Sequence, residues 1–272
     1  MNKPVVKIEV VKGKSLKNSV RDTIAKLCGL EQCVKAGEKV LLKPNFNTAD
    51  PFPASSDIEF IKAVIELLLE NDVGEIILGD SCTFSQNTRK VMERKGAFAL
   101  AGKYKKLKVV SFDEGKWVRK EIPNGRFLKC VHIPEILEQV DRIILLPCLK
   151  THFVAQYTGA LKLAVGFMKP IQRLKLHMGK VQEKIAELNT FFTPDLVIMD
   201  ARKCFINKGP SDGEIREPNL VLASTSRVEV DIEGVGIIQG FEGNSLGGVK
   251  PEELPQIKRA MELGIDSNSR KL

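Results

Sequence analysis

Residues 142–152 read Arg142-Ile143-Ile144-Leu145-Leu146-Pro147-Cys148-Leu149-Lys150-Thr151-His152, and this stretch decides the fold. It opens as the most apolar run of the chain, too short to cross a bilayer, and then passes through a proline into polar side chains. A short, continuous apolar run reads as a strand buried on both faces, the pattern of a parallel sheet covered by helices. The same grammar recurs outward in both directions. Residues 39–42 run into Lys43-Pro44-Asn45, residues 75–78 into Gly79-Asp80-Ser81, and residues 196–199 end at Asp200.

Helical patterns separate these strands. Ser15 caps an amphipathic helix reaching about residue 27, and Ser56 or Asp57 caps another through residue 69, with Ile58, Ile61, Ile65 and Leu68 on one stripe. Further helices are expected over 88–103, 159–168, 180–191, 228–238 and 255–263. Strands are expected at 6–10, where Val6, Ile8 and Val10 alternate with Lys7 and Glu9, and near 108–112 and 220–223. Residues 117–122 and 127–132 read as a hairpin. The expectation is an α/β protein: a three-layer α/β/α architecture with a largely parallel, mixed central sheet and a small hairpin insertion near 117–133. No repeat, low-complexity tract or linker divides the 272 residues, so one domain over 1–272 is expected.

Composition excludes more than it identifies. Hydrophobic residues at 43% and charged residues at 28% fit an ordered globular chain and exclude disordered and fibrous classes. The N-terminal MNKPVVKIEVV lacks the apolar core and cleavage site of a signal peptide, so the protein is expected in the cytoplasm, with no membrane association. The net charge of +8 invites an acidic partner, but its placement is uneven. Residues 89–133 hold 13 basic residues against 4 acidic ones, a solvated or docking surface away from the strand ends. No P-loop, GxGxxG or HExxH pattern is present, and none of the nucleotide, dehydrogenase, zinc-protease or hydrolase templates is expected.

Chemistry is expected at the strand ends, because open α/β sheets bind ligands outside the carboxyl ends of their strands. Lys43, Asn45, Ser81, Lys150 and Thr151 would hold phosphate or carboxylate oxygens, while Asp80 or Asp200 would orient a cation, a lysine or a hydroxyl. From Arg142 to Gln182 the chain contains no Asp or Glu, yet it carries seven basic residues and two histidines. Such a run leaves its lysines without local partners and suits an anion. Lys162 interrupts a small, apolar helix, where a lysine must snorkel or meet a partner. His152 and His177 flank this run and are candidates for proton transfer, since imidazole titrates near neutrality. His132 reads as structural or exposed.

In this order, Lys43-Pro44-Asn45, Gly79-Asp80-Ser81, the 146–152 segment, Thr158-Gly159-Ala160-Leu161-Lys162, His177, the 195–200 strand, Gly209-Pro210 and Val230-Asp231 resemble the prokaryotic family catalogued as domain of unknown function 362. The resemblance implies an α/β domain and brings a frequent iron–sulfur label. That label owes much to a fused ferredoxin-like module absent from this sequence. The family usually places an asparagine after the lysine of the Thr-x-x-x-Lys segment; here Leu163 follows Lys162.

Six cysteines lack CxxC or ferredoxin spacing and read first as small buried thiols in a reducing compartment. Cys82, Cys148 and Cys204 nevertheless fall at expected strand ends, where thiolates could hold a [4Fe-4S] cluster or a divalent metal; Cys28 and Cys33 form a second, weaker pair. The leading functional expectation is an enzyme for a small anionic substrate. The alternatives are an iron–sulfur electron-transfer protein with a redox partner and, least favoured on 16 aromatic residues without a stacking motif, a nucleic-acid binder.

Overall fold

The computed structural model of the chain describes residues 4–10 and 13–267. Of the N-terminal segment read above, residues 1–3 and Val11 lie outside the described residues. Strand β1 (Val6–Glu9) leads into helix α1 (Leu16–Leu27), whose N-cap Ser15 accepts from the Asn18 amide, and then into the single turn α2 (Leu30–Cys33). Strand β2 (Lys39–Lys43) follows, and α3 (Ile58–Glu70) starts at Asp57, whose carboxylate accepts from the Glu59 amide. Beyond β3 (Glu75–Asp80), the helix expected over 88–103 is two helices, α4 (Thr88–Arg94) and α5 (Ala97–Ala101). Gly96 divides them because its φ of 82° lies in the left-handed region that glycine accepts at little cost.

Strand β4 (Leu107–Ser111) is followed by the hairpin pair β5 (Trp117–Glu121) and β6 (Cys130–Pro134), which forms a separate two-stranded sheet. Next come β7 (Arg142–Leu145), β8 (Cys148–His152) and β9 (Gln156–Thr158). The helical stretch expected over 159–168 is α6 (Ala160–Leu163) plus a 3-10 turn over Ala164–Phe167. The chain closes with α7 (Pro170–Leu176), α8 (Val181–Leu188), β10 (Leu196–Phe205), β11 (Ile215–Arg216), β12 (Leu220–Ser224), α9 (Arg227–Gln239) and α10 (Pro255–Glu262).

The central sheet runs in the order β1-β12-β10-β7-β2-β3-β4. Strands β10, β7, β2, β3 and β4 are mutually parallel, and β12 runs antiparallel to both β10 and β1. Side chains alternate across it. Val40, Leu42, Ile76, Leu78, Ile144 and Ile198 face a core shared with α1, α3, α4 and α5. Leu41, Ile77, Leu145, Val197 and Met199 face the other core, built with α6, α8, α9, α10 and the β5–β6 hairpin. Helices of the first half of the chain thus cover one face and those of the second half the other, which makes the three layers.

One strand changes partners along its length. The first residues of β10 pair with β7 on one side and β12 on the other; its last residues pair with β8 and β11. Strands β7 and β8 are one line along β10 broken at Leu146-Pro147, with a register shift between Asp200 and Phe205. Leu146 still bonds the Lys43 carbonyl at 2.9 Å, but beyond Pro147 the chain leaves β2. That divergence opens the sheet next to the ends of β2 and β3.

Candidate functional site

From β2 the chain moves outward to β3 and β4, then returns to β7 on the opposite side of β2. Loops at such a switch point leave in opposite directions and create a crevice beyond the carboxyl ends of the strands. Lys43 is the last residue of β2 and Asp80 the last of β3, so both project into this crevice. A cavity of about 50 Å³ lies there, room for a few waters or a small anion. Six of the residues singled out from sequence line it: Lys43, Asn45, Asp80, Ser81, Lys150 and Lys162. Thr158, Gly166 and Arg173 also stand in its wall.

The polar groups are organised around one ion pair. Lys43 Nζ lies 2.7 Å from Asp80 Oδ1 and donates to the Pro44 carbonyl at 2.8 Å. Asp80 accepts in addition from the Phe46 amide at 2.8 Å and the Ser81 amide at 2.6 Å. Gly166 packs directly on this pair: a β-carbon there would stand 2.5 Å from Lys43 Nζ, so any larger residue would displace the lysine end or the Asp80 carboxylate. Arg173, only 4% exposed, spends its donors on the Met168, Ser81 and Cys82 carbonyls and on Ser81 Oγ. Burial lowers its pKa in spite of nearby Asp80.

Two lysines are perturbed most clearly. Lys150 Nζ donates to the Ala54 carbonyl, and burial lowers its pKa to about 8. Lys162 keeps part of its surface open; burial, then the charges of Lys150 and Arg173, lower its pKa to about 7. Among the described residues no carboxylate or other acceptor partners its ammonium. The lining therefore holds four cationic side chains against the single carboxylate of Asp80. Thr158 Oγ1, buried in the same wall, has no hydrogen-bond partner among the described residues.

His152 is not part of the cavity lining, although the charges of Lys162 and Lys150 reach it. Its Nδ1 accepts from the Val154 and Ala155 amides at 3.0 and 3.1 Å, which leaves the proton on Nε2. Burial, followed by the charges of Lys162, Lys150 and His177, lowers its pKa to about 2. The neutral-range titration expected from sequence is thus moved away: at neutrality this ring is an uncharged donor. His177 is exposed, and its Nδ1 meets the Arg173 carbonyl at 2.8 Å, outside the lining. Thr151 is buried with its hydroxyl unpartnered, also outside the lining.

Asp200 has a different environment from the one expected. Its carboxylate is held by Arg202, with Nη2 to Oδ2 at 2.7 Å and Nε to Oδ1 at 2.9 Å, and Arg202 reaches Asp57 at 2.7 Å. This triad sits beside the site and does not line it. Nor do the cysteines form a ligand set. Cys148 Sγ lies 3.7 Å from Ser56 Oγ, Cys82 bonds Thr88, and Cys204 packs in the core of the second helical layer. No group of three or more His, Cys, Asp and Glu among the described residues is placed to hold a metal, so these thiols do not fit a [4Fe-4S] cluster.

Sequence reasoning missed Thr158 and Arg173 as wall residues, although the acid-free run contains both. Gly243-Asn244-Ser245-Leu246-Gly247 spells the hydrolase G-x-S-x-G, but it follows α9 instead of joining strand to helix, and Ser245 Oγ meets only the Ile206 carbonyl at 3.5 Å. Several other cations are paired away from the cavity. Arg142 is clamped by Glu38 at 2.6 Å and Asp195 at 3.0 Å at the opposite end of the sheet. In the 89–133 segment, Arg89, Lys106, Lys108 and Lys120 pair with surface carboxylates.

Fold and cavity together define an open α/β protein with a cationic pocket at its topological switch point. A model of the family described as domain of unknown function (DUF362) matches residues 40–235, and the chain belongs to that family. A thylakoid-associated protein of Synechocystis sp. is 27% identical over 267 residues, spanning 95% of this chain and 78% of that protein. Among solved structures, a crystal structure of a Thermotoga maritima protein aligns with a TM-score of 0.51 at 12% identity, covering 93% of this chain. The lactate racemase apoprotein from Thermoanaerobacterium thermosaccharolyticum aligns with a TM-score of 0.51 at 11% identity, covering 82%. The chain spans 60% of the length of each of these two structures, and the likeness is one of fold. Among the described residues no helix is long and apolar enough to cross a membrane.

Proposed function

We propose that the protein is a single-domain cytoplasmic enzyme acting on a small anionic substrate, carboxylate- or phosphate-bearing, at the C-terminal rim of the sheet. One observation carries the reading: four cations surround a cavity with one carboxylate, and Lys162 has no partner among the described residues. A partly dehydrated cluster of like charges costs the fold free energy and is relieved when an anion enters. In this reading Lys150 and Lys162 bind the anion's oxygens, with Asn45, Ser81 and the Thr158 hydroxyl completing the cradle. The Lys43–Asp80 pair fixes the floor, and His152 supplies a neutral donor outside the lining. The iron–sulfur and nucleic-acid readings have no comparable support.

Isothermal titration with inorganic phosphate and with glyoxylate tests this reading. Binding is expected to strengthen as pH falls from about 9 to 7, because both depressed lysines gain their protons in that window. Lys162→Met is expected to weaken it at least about tenfold, the loss of one desolvated charge contact. Absence of heat, and of any thermal shift, with both anions at millimolar concentration would overturn the reading.

A further inference from the structure

The four cations of the cavity are not equivalent. Lys43 is committed to Asp80, Lys150 to the Ala54 carbonyl, and Arg173 to carbonyls and Ser81 Oγ. Lys162 alone of the four has no hydrogen-bond or ion-pair partner among the described residues, and it keeps an open face. It is presented by α6, whose first amides, those of Ala160 and Leu161, donate to Asp231 at 2.6 and 2.9 Å, so the helical turn beneath it is fixed. The orphan Thr158 hydroxyl sits in the same wall.

An oxygen-binding lysine needs only its charge, whereas a nucleophilic lysine needs a lone pair. Desolvation and neighbouring cations are the two devices that free that lone pair near neutrality. Both act on Lys162, whose pKa of about 7 leaves roughly half of the amine unprotonated at pH 7. Committed cations around an uncommitted amine form a site that holds a carboxylate and attacks what is attached to it.

We propose that Lys162 Nζ forms an imine with the carbonyl carbon of a small oxo acid whose carboxylate is held by the remaining ammonium donors of Lys150 and Lys43. This inference rests on the anion-site reading and names its substrate class. The amine lone pair forms a C–N bond while the carbonyl π pair moves to oxygen, and a nitrogen proton passes to that oxygen to give the carbinolamine. The C–O bond then breaks, and the hydroxyl departs as water with a proton from the Lys150 ammonium. The iminium N–H returns that proton to Lys150. One amine and one carbonyl give one imine and one water, and nothing is oxidised or reduced. The Thr158 hydroxyl donates to the substrate oxygen as its charge develops.

The test is borohydride trapping with glyoxylate, the smallest oxo acid, followed by peptide mapping. The expected result is a carboxymethyl adduct on Lys162, formed at least about tenfold faster than on exposed lysines at pH 7, as the larger unprotonated fraction predicts. Its rate should rise with a midpoint near pH 7. Lys162→Arg keeps the charge and is expected to bind glyoxylate calorimetrically while losing the adduct; if the arginine variant melts early, suppression of the Lys162 adduct in the unaltered chain by millimolar phosphate takes its place, and an adduct that phosphate does not suppress overturns the covalent step. Glyoxylate binding without a Lys162 adduct, or labelling no faster than on surface lysines, overturns the covalent step and leaves the anion site standing. Absence of both binding and adduct overturns both readings together.

Discussion

Lys162 illustrates how a residue can be a cost to the fold and still define the site. Burial and two neighbouring cations hold its pKa at about 7, whereas in the unfolded chain it keeps its proton to about 10.4. Between those values the unfolded state binds more protons, so stability rises with pH from about 7 to 10; Lys150, at about 8, acts in the same direction. Lys162→Met is therefore expected to raise thermal stability at pH 6, by about 1–2 kcal/mol after allowance for its open face, and to flatten that slope. Scanning fluorimetry across pH 6–10 checks it, and a melting temperature lowered at pH 6 would contradict the account. Lys162 was legible in the sequence because it breaks a small apolar helix. Arg173 was not, because nothing in the linear chain separates it from Lys169 and Lys175, which the fold leaves exposed on the surface. Asp200 read as a site residue for the opposite reason: its partner Arg202, two residues on, gives no sign in sequence of turning back.

At the scale of elements, α6 is too short to hold itself and is capped from another part of the chain. Asp231, inside α9, accepts from its first two amides, and Gly159 has no side chain because a β-carbon would lie 2.1 Å from Asp231 Oδ1. Burial, opposed by those amide bonds, raises the Asp231 pKa to about 7. The folded state then holds a proton up to about pH 7 that the unfolded chain releases near 3.9, so this stabilisation is lost as pH rises through 4 to 7. Asp231→Asn is expected to remove that slope and to cost about 1–2 kcal/mol at pH 5, where the carboxyl is uncharged and one amide loses its acceptor, and less at pH 7, where the asparagine carries no buried charge. Urea titrations at pH 5 and 7 measure both effects; an unchanged slope would place the titration elsewhere. The apolar strands and capped helices were readable because periodicity and caps are local. Strands β8 and β9 were not: Lys150, Thr151 and His152 look like loop residues until the rest of the chain buries them.

Across the whole molecule, the alternation of strands and helices gave the layered class, but not the direction of β12 or the partner change along β10, which depend on where distant segments return. The partner change has a measurable consequence. Residues 196–200 sit inside regular ladders with β7 and β12, whereas the last residues of β10 lie beyond a register shift beside the two-residue β11. Amide hydrogen exchange is expected to be about 100-fold faster at 203–205 than at 197–199, a difference in local opening within one strand. Uniform protection along β10 would show the two halves to open as one.

The edge pairing of β1 sets an order of events during synthesis. Val6 to Glu9 pair with Ala223 to Leu220, more than two hundred residues later in the chain, and β12 is the neighbour the sheet gives β1. Strands β2, β3 and β4 can assemble with their helices while the ribosome is still working, since their partners are near in sequence. Strand β1 has to wait for β12, and closure of the sheet at that edge is a late, long-range step of the kind that slows folding.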